Sequence, residues 1–255
     1  MSSTDHVHVD RAAQLADAAR VAAGTRDRQA LFYEGPADIG KTSLLLEIHR
    51  RHATAGSYYV DLGRIVEKND VLAHIARQAR RQEIPVDAFQ TVRDRLAQAG
   101  SLSVNDMRAR NSSITMVVNV FKDRKLQLDA MSDALLDTLT APPRQPVICL
   151  DGFEQCEAPM RDWLSDDLLP DLLSRRGTSV FLAGRQVPRL GRPYAALTRT
   201  MALPPFDVAT VEEWISTLGF DSLKGEGARI HTHHGGVPGL IREFFDLHAE
   251  PSGTR

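Results

Sequence analysis

Cysteine is nearly absent. Only Cys149 and Cys156 occur among 255 residues, too few for a disulfide scaffold, and Cys149 stands in the apolar run VICL, where a reduced, buried thiol is expected. Long apolar runs are missing as well. No stretch approaches the roughly 18 apolar residues of a spanning helix, and the opening MSSTDHVHVD holds no apolar core of the kind a secretion signal needs. A cytoplasmic protein without a membrane span is expected. Neither sign of charge is in excess: 31 Lys and Arg against 33 Asp and Glu give a formal net charge of −2. With no global basic field, neither nucleic acid nor an anionic membrane is an expected partner. No internal repeat or low-complexity tract is visible. What is present, 42% hydrophobic and 25% charged residues, suits one large α/β domain, alone or with a small appendage.

Strand-like and helix-like segments alternate. After a polar, loose first ten residues, Ala12, Leu15, Ala16 and Ala19 share one helical face that Gly24 stops. QALFYEG (29–35) and SYYVDL (57–62) read as strands, and KTSLLLEIHRRH (41–52), 68–82 and 86–99 as helices. In SSITMVVNVF (112–121) Ile114, Met116, Val118 and Val120 alternate with their neighbours, which predicts a strand within an insertion near 85–125. Leu128, Met131, Leu135 and Leu139 return to helical spacing before the break at Pro142 and Pro143. PVICLD (146–151) and TSVFLAG (178–184) are continuous apolar runs of central-strand length, separated by the helical stretch MRDWLSDDLLPDLLSRR. TMALPP (200–205) predicts a short fifth strand, and the composition then turns helical. The pattern predicts a parallel sheet with helices on both faces, an α/β core over 1–205 and a small helical lid over 206–255.

The chemistry lies in the turn after the first strand. Gly35-Pro36-Ala37-Asp38-Ile39-Gly40-Lys41-Thr42 matches G-x-x-x-x-G-K-[ST] between a strand and a helix, the context a phosphate-binding loop (Walker A) requires. In such a loop successive backbone N–H groups and the helix N-terminus, here 35–43 through Ser43, cradle phosphate. Lys41 brings a point charge to the β- and γ-oxygens, and Thr42 binds Mg²⁺. The run VICLD sets Asp151 at the carboxyl end of a buried strand, a Walker B arrangement in which the carboxylate helps hold the Mg²⁺. Three residues on, Glu154 clears the strand and can orient or deprotonate a water. Arg185, just past TSVFLAG, reaches the same sheet edge, where its fork matches γ-phosphate oxygens.

These elements, in this order and followed by ALPPFDVATVEEWISTLGF and HHGGVPGLI, resemble the STAND class of signalling NTPases, relatives of the AAA+ proteins that include the NB-ARC and NACHT families. The resemblance covers roughly residues 9–248 and implies a P-loop NTPase fold with a helical lid. It implies that the turn Gly236-Val237-Pro238 contacts the base, with Pro238 helping to hold the nucleotide. The implied function is an ATP/ADP switch with slow hydrolysis, acting through self-association or through flanking effector and sensor domains of a longer chain. Two alternatives are an AAA+ ATPase that loads or remodels nucleic acid or protein, and a nucleotide-stabilised scaffold without hydrolysis. The sequence departs from its relatives in three places. Asp38 stands where many carry glycine, Glu154 is followed by Gln155 rather than a second acid, and Val9-Asp10-Arg11 is a weak counterpart of the hydrophobic-Gly-Arg motif that often touches the base.

Other features carry less. His231, His233 and His234 with His6 and His8 lack the cysteine or carboxylate spacing of a metal site, so no metal besides Mg²⁺ is expected. Arg77, Arg80 and Arg81 read as a solvated helical face, and Trp163 and Trp214 as core anchors or as packing against the lid.

Overall fold

The computed structural model describes residues 11–25, 27–101 and 124–248; the strand expected over 112–121 lies outside them. Five strands, β1 (Ala30–Glu34), β2 (Ser57–Asp61), β3 (Val147–Asp151), β4 (Ser179–Gly184) and β5 (Thr198–Ala202), form one sheet in the order β2-β3-β4-β1-β5. Every pairing is parallel. All strands therefore end on one edge, at Glu34, Asp61, Asp151, Gly184 and Ala202, where ligands of open α/β sheets bind.

Side-chain alternation sorts the core into two layers. Leu31, Tyr33, Cys149 and Phe181 face α1 (Ala12–Ala22) and α2 (Lys41–Arg51), which bury Leu15, Val21, Leu44 and Ile48 against them. Phe32, Val60, Ile148, Leu150 and Leu182 face the opposite layer, built from α3 (Lys68–Arg81), α4 (Asp87–Ser101), α5 (Arg124–Thr140) and the helical segment after β3. Both apolar runs are fully buried, the pattern of central parallel strands. Both thiols are free and buried, and burial pushes the Cys149 thiol well above its ordinary range.

One expectation needs correction. The fifth strand runs over Thr198–Ala202, two residues earlier than its apolar content suggested. It is an edge strand paired only with β1, so its polar Thr198 and Arg199 are tolerated, while the prolines at 204 and 205 lie beyond its end. The helix after β3 is not regular: α6 (Ala158–Trp163) passes through a π-helical turn (Leu164–Leu168) into α7 (Leu169–Ser174). Pro170 cannot donate to the carbonyl four residues back, and the wider turn carries it while Leu164, Leu168, Leu169 and Leu172 stay buried.

After β5 come α8 (Val208–Leu218), α9 (Gly227–His234) and α10 (Pro238–His248). Asp207 caps α8 by accepting from the Thr210 N–H at 2.8 Å. These helices share their own apolar cluster around Phe206, Trp214, Ile230, Ile241 and Phe245. Trp214 meets Phe206 and Phe245 edge-on, at centroid distances of 5.7 and 5.3 Å. Trp163 is buried in the sheet core instead. Among the described residues no helix is long and apolar enough to cross a membrane.

Candidate functional site

The turn after β1 enters α2 through Gly40, whose φ of 91° is left-handed, and Gly40 O accepts the first helical bond from Leu44 N at 3.0 Å. Leu44, Leu45 and Ile48 anchor α2 in the core, leaving Thr42 and Ser43 exposed on its first turn. The Lys41 Nζ donates to the carbonyls of Gly35 at 2.8 Å and Pro36 at 2.5 Å, so the ammonium lies along the loop. Burial pushes this ammonium below the ordinary lysine range, and the Glu154 and Asp151 carboxylates oppose that shift.

Asp151 is buried at the end of β3, and Tyr59 Oη donates to its Oδ2 at 2.9 Å. Burial, followed by the neighbouring Asp151 carboxylate, raises the phenol well above its usual range. Beyond Asp151, Gly152 N donates to Ala183 O at 3.1 Å, tying the exit of β3 to β4, and a 3₁₀ turn (Phe153–Gln155) carries Glu154 over the sheet edge. One oxygen of Glu154 pairs with Arg185 Nε at 3.6 Å. The other, Oε2, is buried without a hydrogen-bond partner among the described residues. Asp151, Glu154 and Arg185 thus converge with Lys41 on one edge. Beside them Thr42, Tyr59, Asp61 and His74 line a cleft of about 700 Å³ between α2, β2 and α3.

The C-terminal helices reach the loop directly. Gly239 N, in the first turn of α10, donates to Asp38 O at 2.8 Å. A Cβ placed on Gly40 would lie 4.0 Å from Pro238 Cγ, so Pro238 stands beside the loop as well. Asp38 holds a left-handed φ of 60°. Arg11 is buried, and its Nη2 donates to Ile39 O at 3.0 Å and Pro204 O at 2.9 Å while the guanidinium lies 4.9 Å from the Phe206 ring centroid. Arg11, the last residue of the weak Val9-Asp10-Arg11 counterpart, grips the loop and the 204–206 linker, and Val9 and Asp10 lie outside the described residues.

Two contributors were not singled out from sequence, and the contacts of a third were not foreseen. Tyr59 becomes visible only through the register that pairs it with Cys149, two residues before Asp151. The position of Arg11 before α1 gave no sign of contacts 28 and 193 residues away. Gly239 left a faint signal, a poor helix former at the second position of a helix.

No protein-family model matches the chain, and no curated protein matches it in sequence. Solved structures do share its fold. A STAND protein with a tetratricopeptide repeat sensor from Pyrococcus horikoshii matches with a TM-score of 0.52 at 16% identity, over 91% of this chain and 29% of that one. The RuvB Holliday junction branch migration motor of Thermotoga maritima matches with a TM-score of 0.50 at 12% identity, over 93% of this chain and 61% of that one. The chain therefore spans less than two thirds of either neighbour. At these identities the likeness is one of fold: a parallel five-stranded sheet with helices, as in P-loop AAA+ NTPases.

Proposed function

We propose that the protein is an ATP-binding, slowly hydrolysing switch in which nucleotide sits between the α/β core over 1–205 and a helical lid over 206–255, in the manner of STAND NTPases. One observation carries this reading: the loop, Asp151, Glu154 and Arg185 share one sheet edge, and the first turn of α10 is seated on that loop. Backbone N–H groups of the loop and the N-terminus of α2 receive the phosphates. Lys41 gives up its loop carbonyls to them, and a partly desolvated ammonium gains more from that exchange than a hydrated one. The donor set fits Mg²⁺, with the Thr42 hydroxyl and the buried Asp151 carboxylate as its holders. Bound there, the ion would neutralise charge on the β- and γ-oxygens. Glu154 serves as the base that accepts a proton from the attacking water, and its unpartnered Oε2 supports that role. Arg185 trades its Glu154 partner for the γ-phosphate and so reports the nucleotide state. Self-association and flanking sensor or effector domains belong to the same reading.

Thermal stabilisation by Mg·ATP tests it. Ligand at about 100 times its dissociation constant adds about 2.7 kcal/mol to the wild type. Lys41→Ala should abolish that shift, whereas Glu154→Gln should keep it and lose phosphate release. A full shift in Lys41→Ala, or wild-type turnover in Glu154→Gln, would refute the corresponding assignment.

A further inference from the structure

We infer that Asp38 and Gly239 are the matched halves of a contact through which the position of α10 sets the conformation of the phosphate loop. Its consequence for affinity rests on the nucleotide reading above; the contact itself does not. A planar trans peptide holds the C=O of one residue and the N–H of the next in fixed, opposite directions. When Gly239 N takes Asp38 O at 2.8 Å, it also fixes the direction of the Ile39 N–H. When Arg11 takes Ile39 O at 3.0 Å, it fixes the Gly40 N–H. Two consecutive amides of the loop are thus aimed by partners on its outer side, one of them on a C-terminal helix.

The fit at Gly239 is specific to the pair. A Cβ on Gly239 would lie 2.5 Å from Asp38 Cβ and 3.2 Å from both its Cα and its Cγ. The left-handed φ of Asp38 turns this side chain toward α10, with its carboxyl group at the helix N-terminus, where negative charge is favourable. A side chain at 38 therefore demands none at 239. Withdrawal of α10 removes the hold on Asp38 O, frees the 38–39 peptide to turn, and loosens the loop's grip on phosphate. Asp38 and Gly239 are positioning residues acting on the loop amides.

A size swap tests this in the intact chain. In Gly239→Ala the helix itself is favoured, because alanine is the better helix former, but its methyl group cannot coexist with the Asp38 side chain. Without nucleotide, hydrogen exchange at the residue 239 amide, which donates to Asp38 O, should rise about tenfold. Asp38→Gly/Gly239→Ala removes the clash with the side chain and leaves the 3.2 Å approach to the residue 38 Cα, at a φ that glycine adopts freely. Exchange in this double variant should return to within about threefold of wild type. Unchanged exchange at residue 239 in Gly239→Ala, or a double variant as fast as Gly239→Ala, would overturn the inference. Calorimetric titration with Mg·ADP should follow the same order, about tenfold weaker in Gly239→Ala and recovered in the double variant. Equal affinities alongside altered exchange would also overturn it. If the wild type binds neither ADP nor ATP, the nucleotide reading fails, while the exchange arms still decide the contact.

Discussion

Individual side chains show where one-dimensional reading ends. Lys41, Thr42, Asp151 and Glu154 could be placed at the candidate site because the residue types proposed for it are tied to spacing: a glycine-flanked turn before a helix, and a carboxylate after four apolar residues. Tyr59 could not, because its partner is 92 residues away and only strand register joins them. Asp38 was legible as a departure from glycine, yet its surroundings were not. Its carboxyl group lies at the start of α10, which offsets part of the repulsion a phosphate would impose. Tyr59 yields a prediction at this scale. Tyr59→Phe keeps the ring and its packing but removes the donor that orients Asp151 Oδ2. Loss of such an outer partner typically costs about tenfold or more in metal affinity. The Mg²⁺ concentration for half-maximal stabilisation by ATP should therefore rise about tenfold. An unchanged Mg²⁺ midpoint would mean that the phenol only fills space.

At the scale of elements, period and punctuation placed most helices and strands within two residues, since buried parallel strands and amphipathic helices write their burial into sequence. The bounds of β5 and the π-helical turn inside the expected helix are set by a neighbouring strand and by a single proline, not by periodicity. The α9–α10 turn shows how tightly such a junction can be specified. Gly236 has a φ of 69°, its carbonyl accepts from Phe206 N at 2.8 Å, and a Cβ there would collide with the Phe206 carbonyl oxygen. Gly219, which ends α8, has a similar φ of 74° but nothing within 4 Å of the corresponding Cβ. Alanine at Gly219 should cost only the left-handed penalty, about 1 kcal/mol. At Gly236 it should cost roughly 3 kcal/mol, because the backbone must also move. Denaturant midpoints of the two variants measure the difference. Equal midpoints would show that Phe206 is not held against this turn.

For the molecule as a whole, hydrophobic runs marked β3 and β4 as central strands but could not give the order β2-β3-β4-β1-β5, which depends on where each crossover lands. Nor could they reveal how the helices after residue 206, with their separate apolar cluster, are fastened to the core. Much of that fastening runs through Arg11, which joins the loop carbonyl of Ile39, the linker carbonyl of Pro204 and the face of Phe206. Hydrogen bonds to a charged group contribute about 1.5–3 kcal/mol each, and both carbonyls lose their donor in Arg11→Ala. Arg11→Lys keeps the charge but not the planar fork, so it should recover only part of the loss. The two tryptophans can localise the effect, because Trp163 reports the sheet core and Trp214 the C-terminal cluster. In single-tryptophan backgrounds, Trp163→Phe and Trp214→Phe, urea transitions followed by fluorescence should coincide when Arg11 is present. With Arg11→Ala the Trp214 transition should move to lower urea by the equivalent of about 2 kcal/mol, ahead of the Trp163 transition. If both probes shift together, the two clusters still unfold as one unit without Arg11, and the coupling between the 35–42 loop and the C-terminal helices must run through other contacts, that of Asp38 with Gly239 among them.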